Sequence, residues 1–231
     1  LRIVLNSPRQ FGEEHGWSLL ISGIAATATT VLAAPLSWLA RRGVLRSLPA
    51  VATTATCLAI PGPMIGLSVI WLLNREESDL LVWLYDRTVF APWLAMLVKA
   101  LPIAILMLWY AFRTVSDELL ENASSEGAGP VTRFFRIGLP IRWRSIAAAW
   151  LAAFAIASGD LAASILVVPP GITTIPVRVF GLLHSGVDDQ VAGICLTTVW
   201  SFVVIGGLIL WLLRPAKKCD SGNRPSHGIM G

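Results

Sequence analysis

Three groups of residues in this chain have types and spacings that could do chemistry. Glu121 to Pro140 reads ENASSEGAGPVTRFFRIGLP, a polar run of acids, hydroxyls, glycines and arginines set between long apolar stretches. Lys99 and Asp160 are single charges inside apolar stretches. Arg178, His184, Asp188 and Asp189 cluster in a further polar connection. A charge within a membrane segment marks a functional site by default. For Lys99 and Asp160 the structural alternative is that each is simply paired, including with the other. His184 and Asp188 are four apart and would share a helix face, but two ligands are too few for a metal site. Solvated loop residues that meet a partner are the expectation there, and no metal is expected.

Other chemistries find no residues. There is no G-x-x-x-x-G-K-[ST] phosphate cradle, so this chain is not expected to hydrolyse ATP itself. No nucleophile triad, metal cluster or carboxylate pair supports a membrane enzyme. Cys57, Cys195 and Cys219 have neither metal-site nor disulfide spacing. Catalytic residues and cofactors bound by this chain are therefore expected to be none.

The elements that must position these groups are apolar. Of 231 residues, 55% are hydrophobic and 14% charged, with a mean hydropathy of +0.69; a soluble domain carries about 25% charged residues. The net charge of +4 has no basic run interleaved with exposed aromatics, which argues against nucleic acid. Five runs are long enough to span a bilayer: 17–40, 49–73, 92–112, 145–168 and 191–213. An unpaired backbone in lipid is too costly for anything but helices here. The expected fold is all-α, a polytopic bundle of about five transmembrane helices occupying residues 1–214, with a flexible tail at 215–231.

Basic residues set the orientation. The regions after the first, third and fifth runs hold twelve Lys and Arg, and the other side holds five. The richer side is expected in the cytoplasm, which places the N-terminus outside and the C-terminus inside. Trp17, Trp38, Trp71, Trp93, Trp109, Trp143 and Trp211 stand near span ends, as an interfacial aromatic belt would.

The polar run then falls on the cytoplasmic side, in a connection spanning 113–144. That is too long to be structureless. Ser116 can cap a first helix, Gly127 and Gly129 allow a bend, and Pro130 can start a second helix that Pro140 ends. A helix–turn–helix at the membrane surface results.

This segment resembles the EAA loop of binding-protein-dependent ABC importer permeases. That motif runs Glu-Ala-Ala, three residues, Gly, nine residues, then Ile-x-Leu-Pro. Glu121, Ala123, Gly127, Ile137, Leu139 and Pro140 match without a gap, while Asn122 replaces the first alanine. LAIPGPMIGLSVIW, VKALPIAILML and the stretch from Gly159 to Leu196 are also similar to these permeases, most of all to the iron(III) type. The resemblance implies a type I importer-like permease of the bacterial inner membrane. Its partners would be a second permease half, ABC ATPase subunits that use ATP and Mg, and a periplasmic or lipid-anchored substrate-binding protein. The six motif residues would couple to the ATPase, Lys99 and Asp160 would serve gating or bundle integrity, and Arg178, His184, Asp188 and Asp189 would face the binding protein. Iron(III) is the expected cargo. Polyamine, thiamine, phosphonate or sulfate are the alternatives, and an ion-coupled secondary transporter is the reading from another class. The usual half has six spans starting inside, so five starting outside implies an upstream helix beyond Leu1.

Overall fold

A computed structural model describes residues 11–75, 78–186 and 188–214, for Asp188 the backbone only. The expected tail at 215–231 lies outside the described residues. Every regular element among the described residues is helical: α1 Gly12–Ala40, α2 Val44–Ala59, α3 Gly62–Leu73, α4 Asp79–Arg87, α5 Phe90–Arg113, α6 Asp117–Ser125, α7 Pro130–Arg133, a π-helical turn Phe134–Gly138, α8 Leu139–Ile141, α9 Trp143–Gly159, α10 Ile175–His184 and α11 Asp188–Leu213. The all-α membrane bundle is as expected, but among the described residues three helices are long and apolar enough to cross a membrane, or four if the bent α2–α3 pair is one span, against the five expected.

Helices α1, α5 and α9 form the centre of the bundle, in three alanine-rich layers. Ala33, Ala34, Ala104, Ile105 and Ala149 make one, Ala26, Ala100 and Ala153 the next, and Ile21, Ala25, Met96 and Ala157 the third. Residue numbers rise together in α1 and α5 and fall in α9, so α1 and α5 are parallel and α9 runs against both. Small side chains let these backbones approach, which drives association where lipid removes any hydrophobic gain. Hydroxyls add directed bonds: Ser37 Oγ donates to the Ile105 carbonyl at 3.0 Å, and Trp150 Nε1 donates to Thr27 Oγ1 at 3.0 Å.

Two expected spans are not continuous helices. The run 49–73 breaks at Ile60 and Pro61, and α2 and α3 meet at 103°. Pro61 cannot donate a helical hydrogen bond, and Ile60 turns extended at φ −86°, ψ 119°. The run 145–168 stays helical only to Gly159. Asp160 is extended at φ −81°, ψ 117°, and irregular turns follow to Thr174. The stretch after it is not all loop either, because Ile175–His184 is helical.

Irregular backbone at membrane depth survives only against protein or a watery cavity, and the two breaks here pack on each other. A Cβ on Gly62 would lie 2.8 Å from Ala162 Cβ, and one on Gly66 would lie 2.8 Å from the Ala163 carbonyl. The G-x-x-x-G spacing thus serves close packing, but against a turn and not a helix. Asp160 holds that turn. Its Oδ2 accepts from the Ala163 N–H at 3.0 Å, and its carbonyl accepts from Ser164 Oγ at 2.6 Å. Among the described residues Asp160 makes no ion pair with Lys99, which is half-buried in α5. The supposed pairing of these two charges is corrected: Asp160 is occupied as a turn cap.

This geometry generates a prediction. Asp160→Ala should lower stability by about 1 kcal/mol, the usual value of such a cap, while Asp160→Asn, which keeps an acceptor, should stay near the parent in thermal unfolding in detergent. Equal losses in both would show that the charge, not the cap, matters.

Candidate functional site

The polar run folds as an elbow at the end of the bundle where α1 and α5 finish. Its first arm is α6. Ser116 occupies the N-cap position, but its side chain makes no capping bond, contrary to expectation. Asp117 and Glu118 in the first turn still complement the helix dipole.

The arm ends in a Schellman closure. The Gly127 N–H donates to the Ser124 carbonyl at 3.0 Å and the Ala128 N–H donates to the Ala123 carbonyl at 2.9 Å. Such a closure needs its central residue left-handed, and Gly127 has φ +85°. A side chain there would be strained by roughly 1–2 kcal/mol. The expected bend at Gly127 is present with a specific backbone cause. Pro130 then starts α7, as expected.

The second arm widens into the π-helical turn, where the Leu139 N–H reaches back five residues to the Phe134 carbonyl. Pro140 supplies the reason: it has no N–H for the Arg136 carbonyl, so the regular ladder fails there. Pro140 does not end the arm. It lies inside α8, and the break falls at Arg142, which has φ −109° and ψ 20°.

The elbow is seated on the bundle by aromatic contact. Phe134 packs on Trp38 of α1 with ring centroids 5.5 Å apart, and Trp38 meets Phe112 of α5 edge-on at 5.4 Å. Gly138 lies flat against the same indole; a Cβ on it would come within 2.6 Å of the ring. Trp38 is therefore a core residue and not part of an interfacial belt, whereas Trp17, Trp71, Trp143 and Trp211 are exposed.

Arginines lock the seat from the sides. Arg133 donates to the Leu120 carbonyl at 3.4 Å, and Arg142 donates to the Thr114 carbonyl. Arg41 lies over the Trp38 ring at 4.3 Å and 3.8 Å from Asp117. Burial lowers the Arg41 pKa from its ordinary value, Arg42 lowers it further, and Asp117 raises it. The Asp117 carboxylate is 87% exposed, so this pair contributes at most about 1 kcal/mol.

The six motif residues divide by position. Ile137 and Leu139 are half-buried and packed on the Trp38–Phe112 cluster. Ala123 is half-buried and its carbonyl closes the turn. Glu121, Gly127 and Pro140 are exposed, as is the apolar side chain of Leu119, whereas the exposed Val131 and Phe135 line a groove against Trp38 of α1. One face grips the bundle and the other is free to meet a second protein. Spacing alone had not pointed to Trp38, Phe134, Gly138 and Arg41. The glycine inside the Ile-x-Leu-Pro signature was the only hint, and its reason is a contact about a hundred residues away.

At the opposite end the expected handles are partly committed. Arg178 pairs with Glu14 at 3.5 Å and lies over Phe11 at 5.4 Å, so it ties α10 to α1. His184 Nδ1 is 2.9 Å from the Phe180 carbonyl, and the ring rests on Phe180. His184 and Asp188 do not share a helix, because α10 ends at His184 and Gly186 turns at φ +73° before α11 begins. Asp189 is exposed. Among the described residues no three His, Cys, Asp or Glu groups could hold a metal ion.

Comparison with known proteins gives the class of this helical membrane bundle. No family model matches the sequence. It is 32% identical over 205 residues to the putrescine transport system permease protein PotI of Escherichia coli K12, covering 88% of this chain and 73% of that protein. It is 28% identical over 200 residues to the Fe(3+)-transport system permease protein FbpB 2 of Haemophilus influenzae, covering 85% and 37%. It is 32% identical over 104 residues to the putative 2-aminoethylphosphonate transport system permease protein PhnV of Salmonella paratyphi A, covering 45% and 38%. The chain belongs to the ABC transporter permeases. It is a membrane subunit of an importer and not an enzyme.

The seating contact predicts a specific rescue. Gly138→Ala should overpack the Trp38 ring and lower stability by about 1–3 kcal/mol, and Trp38→Leu should relieve most of that loss in the double variant. Thermal unfolding of the four proteins measures the coupling; simple additivity would disprove the contact.

Proposed function

We propose that this chain is the permease half of an importer for a small organic polycation, a polyamine of the putrescine class. Its elbow docks in a groove of an ABC ATPase. Glu121 supplies a polar contact, Leu119 an apolar one, and Gly127 the bend that presents them. ATP and Mg act in that partner. When paired ATPases close, force enters through α6, crosses the Gly138–Trp38 seat and rocks α1, α5 and α9 as a body. Rocking of rigid bundles is a common route to alternating access. A second permease half completes the path, and a substrate-binding protein meets the outer end near Asp189 and α10.

The observation that carries the choice of cargo is the charge of the outer end. With the basic-rich side in the cytoplasm, the connections on the other side hold eight acids against five bases. The inner connections hold twelve bases against five acids. A negative vestibule concentrates cations and repels phosphonate and sulfate. The extended likeness to the putrescine permease points the same way. Iron(III) is also a cation and has the support of the Haemophilus relative, but no group of metal ligands lies among the described residues of the outer end.

The test is reconstitution in liposomes with the cognate ATPase and binding protein. Putrescine or spermidine should stimulate ATP hydrolysis, and ferric ion, thiamine and 2-aminoethylphosphonate should not. Stimulation by ferric ion alone would overturn the assignment of cargo. In the same system Gly127→Val should reach the membrane at the parental level yet lose most stimulated hydrolysis, because the left-handed turn excludes a β-branched residue. Parental stimulation by that variant would remove the coupling role.

A further inference from the structure

We infer that an anionic phospholipid occupies a groove between α1 and the elbow, with its headgroup held by Arg42 and Arg46. This goes beyond the transport reading and does not depend on the cargo. The groove encloses about 950 Å³ and is walled by Val31, Ala34 and Trp38 of α1 and by Val131, Phe134 and Phe135 of the elbow. The charged residues lining it are Arg42 and Arg46; no carboxylate is among them. Both residues are exposed, and among the described residues neither makes an ion pair, whereas the adjacent Arg41 is engaged with Trp38 and Asp117. Gly43, at φ +128°, turns the chain from α1 into α2 and brings Arg46 back to the same mouth as Arg42.

Dimensions favour a lipid over a protein segment. The groove runs from Thr30 to Arg42, which along a helix is about 18 Å, close to the roughly 15 Å of one leaflet. A second groove of about 770 Å³ shares Thr30, Leu139 and Ile146 with the first and continues past Trp143 to Trp150. Two apolar channels that diverge around Leu139 and Ile146 suit the two acyl chains of one molecule. A basic opening at the membrane surface above apolar channels is the chemistry that selects an anionic headgroup. A protein helix in the same place would have to bring acids to two arginines and leave its other faces to lipid. Because one wall is α1 and the other is the elbow, an occupant would brace the Gly138–Trp38 seat.

The experiment uses the purified permease assembly in nanodiscs of phosphatidylcholine with increasing phosphatidylglycerol, followed by native mass spectrometry of retained lipid and by thermal unfolding. Phosphatidylglycerol should be retained in preference and should raise the unfolding midpoint. In Arg42→Gln/Arg46→Gln, retention should weaken by about 30-fold, roughly fivefold per surface guanidinium. Val31→Trp, at an exposed position on the groove wall, should block retention while leaving the midpoint in pure phosphatidylcholine unchanged. Equal retention of the two lipids, or retention unchanged in either variant, would overturn the site. So would a disulfide crosslink between a cysteine placed at Val131 and a second permease chain, since that would show the groove filled by protein.

Discussion

The contact on which the rest depends is between a glycine and a tryptophan. Gly138 lies flat on the Trp38 indole, with Phe134 and Phe112 closing the cluster. Aromatic pairs of this kind contribute about 0.5–1.5 kcal/mol beyond the area they bury, and the close approach leaves no slack for the elbow to slide. A lever is useful only if its fulcrum does not yield. Here the contact joins the π turn directly to α1 and, through Phe112, to α5, so under the proposed coupling a displacement of the exposed face would reach two parallel helices together.

The second constraint comes from the lipid. Two of the apolar segments break inside the bundle, at Ile60–Pro61 and at Asp160, where hydrocarbon would penalise open backbone by several kcal/mol per unsatisfied group. The breaks survive because each covers the other, through Gly62 and Gly66 on one side and the turn capped by Asp160 on the other. Alanine layers at α1, α5 and α9 thus stand beside an irregular seam. The sequence charge is divided too, with twelve bases against five acids in the connections at one end and eight acids against five bases at the other.

The residues show which features could be read in advance. Glu121, Gly127 and Leu139 sit at spacings that a surface helix pair requires, and the left-handed Gly127 follows from local backbone chemistry alone. The helical class and the apolar runs followed from hydropathy, because lipid enforces helices. The helix limits did not. Hydropathy cannot distinguish 145–168 as one span from a helix to Gly159 followed by turns, since both are apolar. Lys99 and Asp160 were equally suited to pair until the structure showed the Asp160 carboxylate on the Ala163 N–H. Arg178 looked free until Glu14, far away in sequence, was found beside it. His184 and Asp188 had helical spacing, but Gly186 separates their helices.

By itself the sequence determined what short-range physics controls: a helical membrane protein, its basic-rich side, a polar elbow with a glycine bend, and the absence of a nucleotide cradle. The tertiary structure alone decided which residues seat the elbow, which charges are already satisfied, where two helices break, and that an apolar groove opens beside Arg42 and Arg46. The reason is one of range. Hydropathy, turn chemistry and charge bias act over a few residues and leave their mark in order along the chain. Contacts such as Gly138 on Trp38 join residues far apart in sequence, and only packing of the whole bundle selects them.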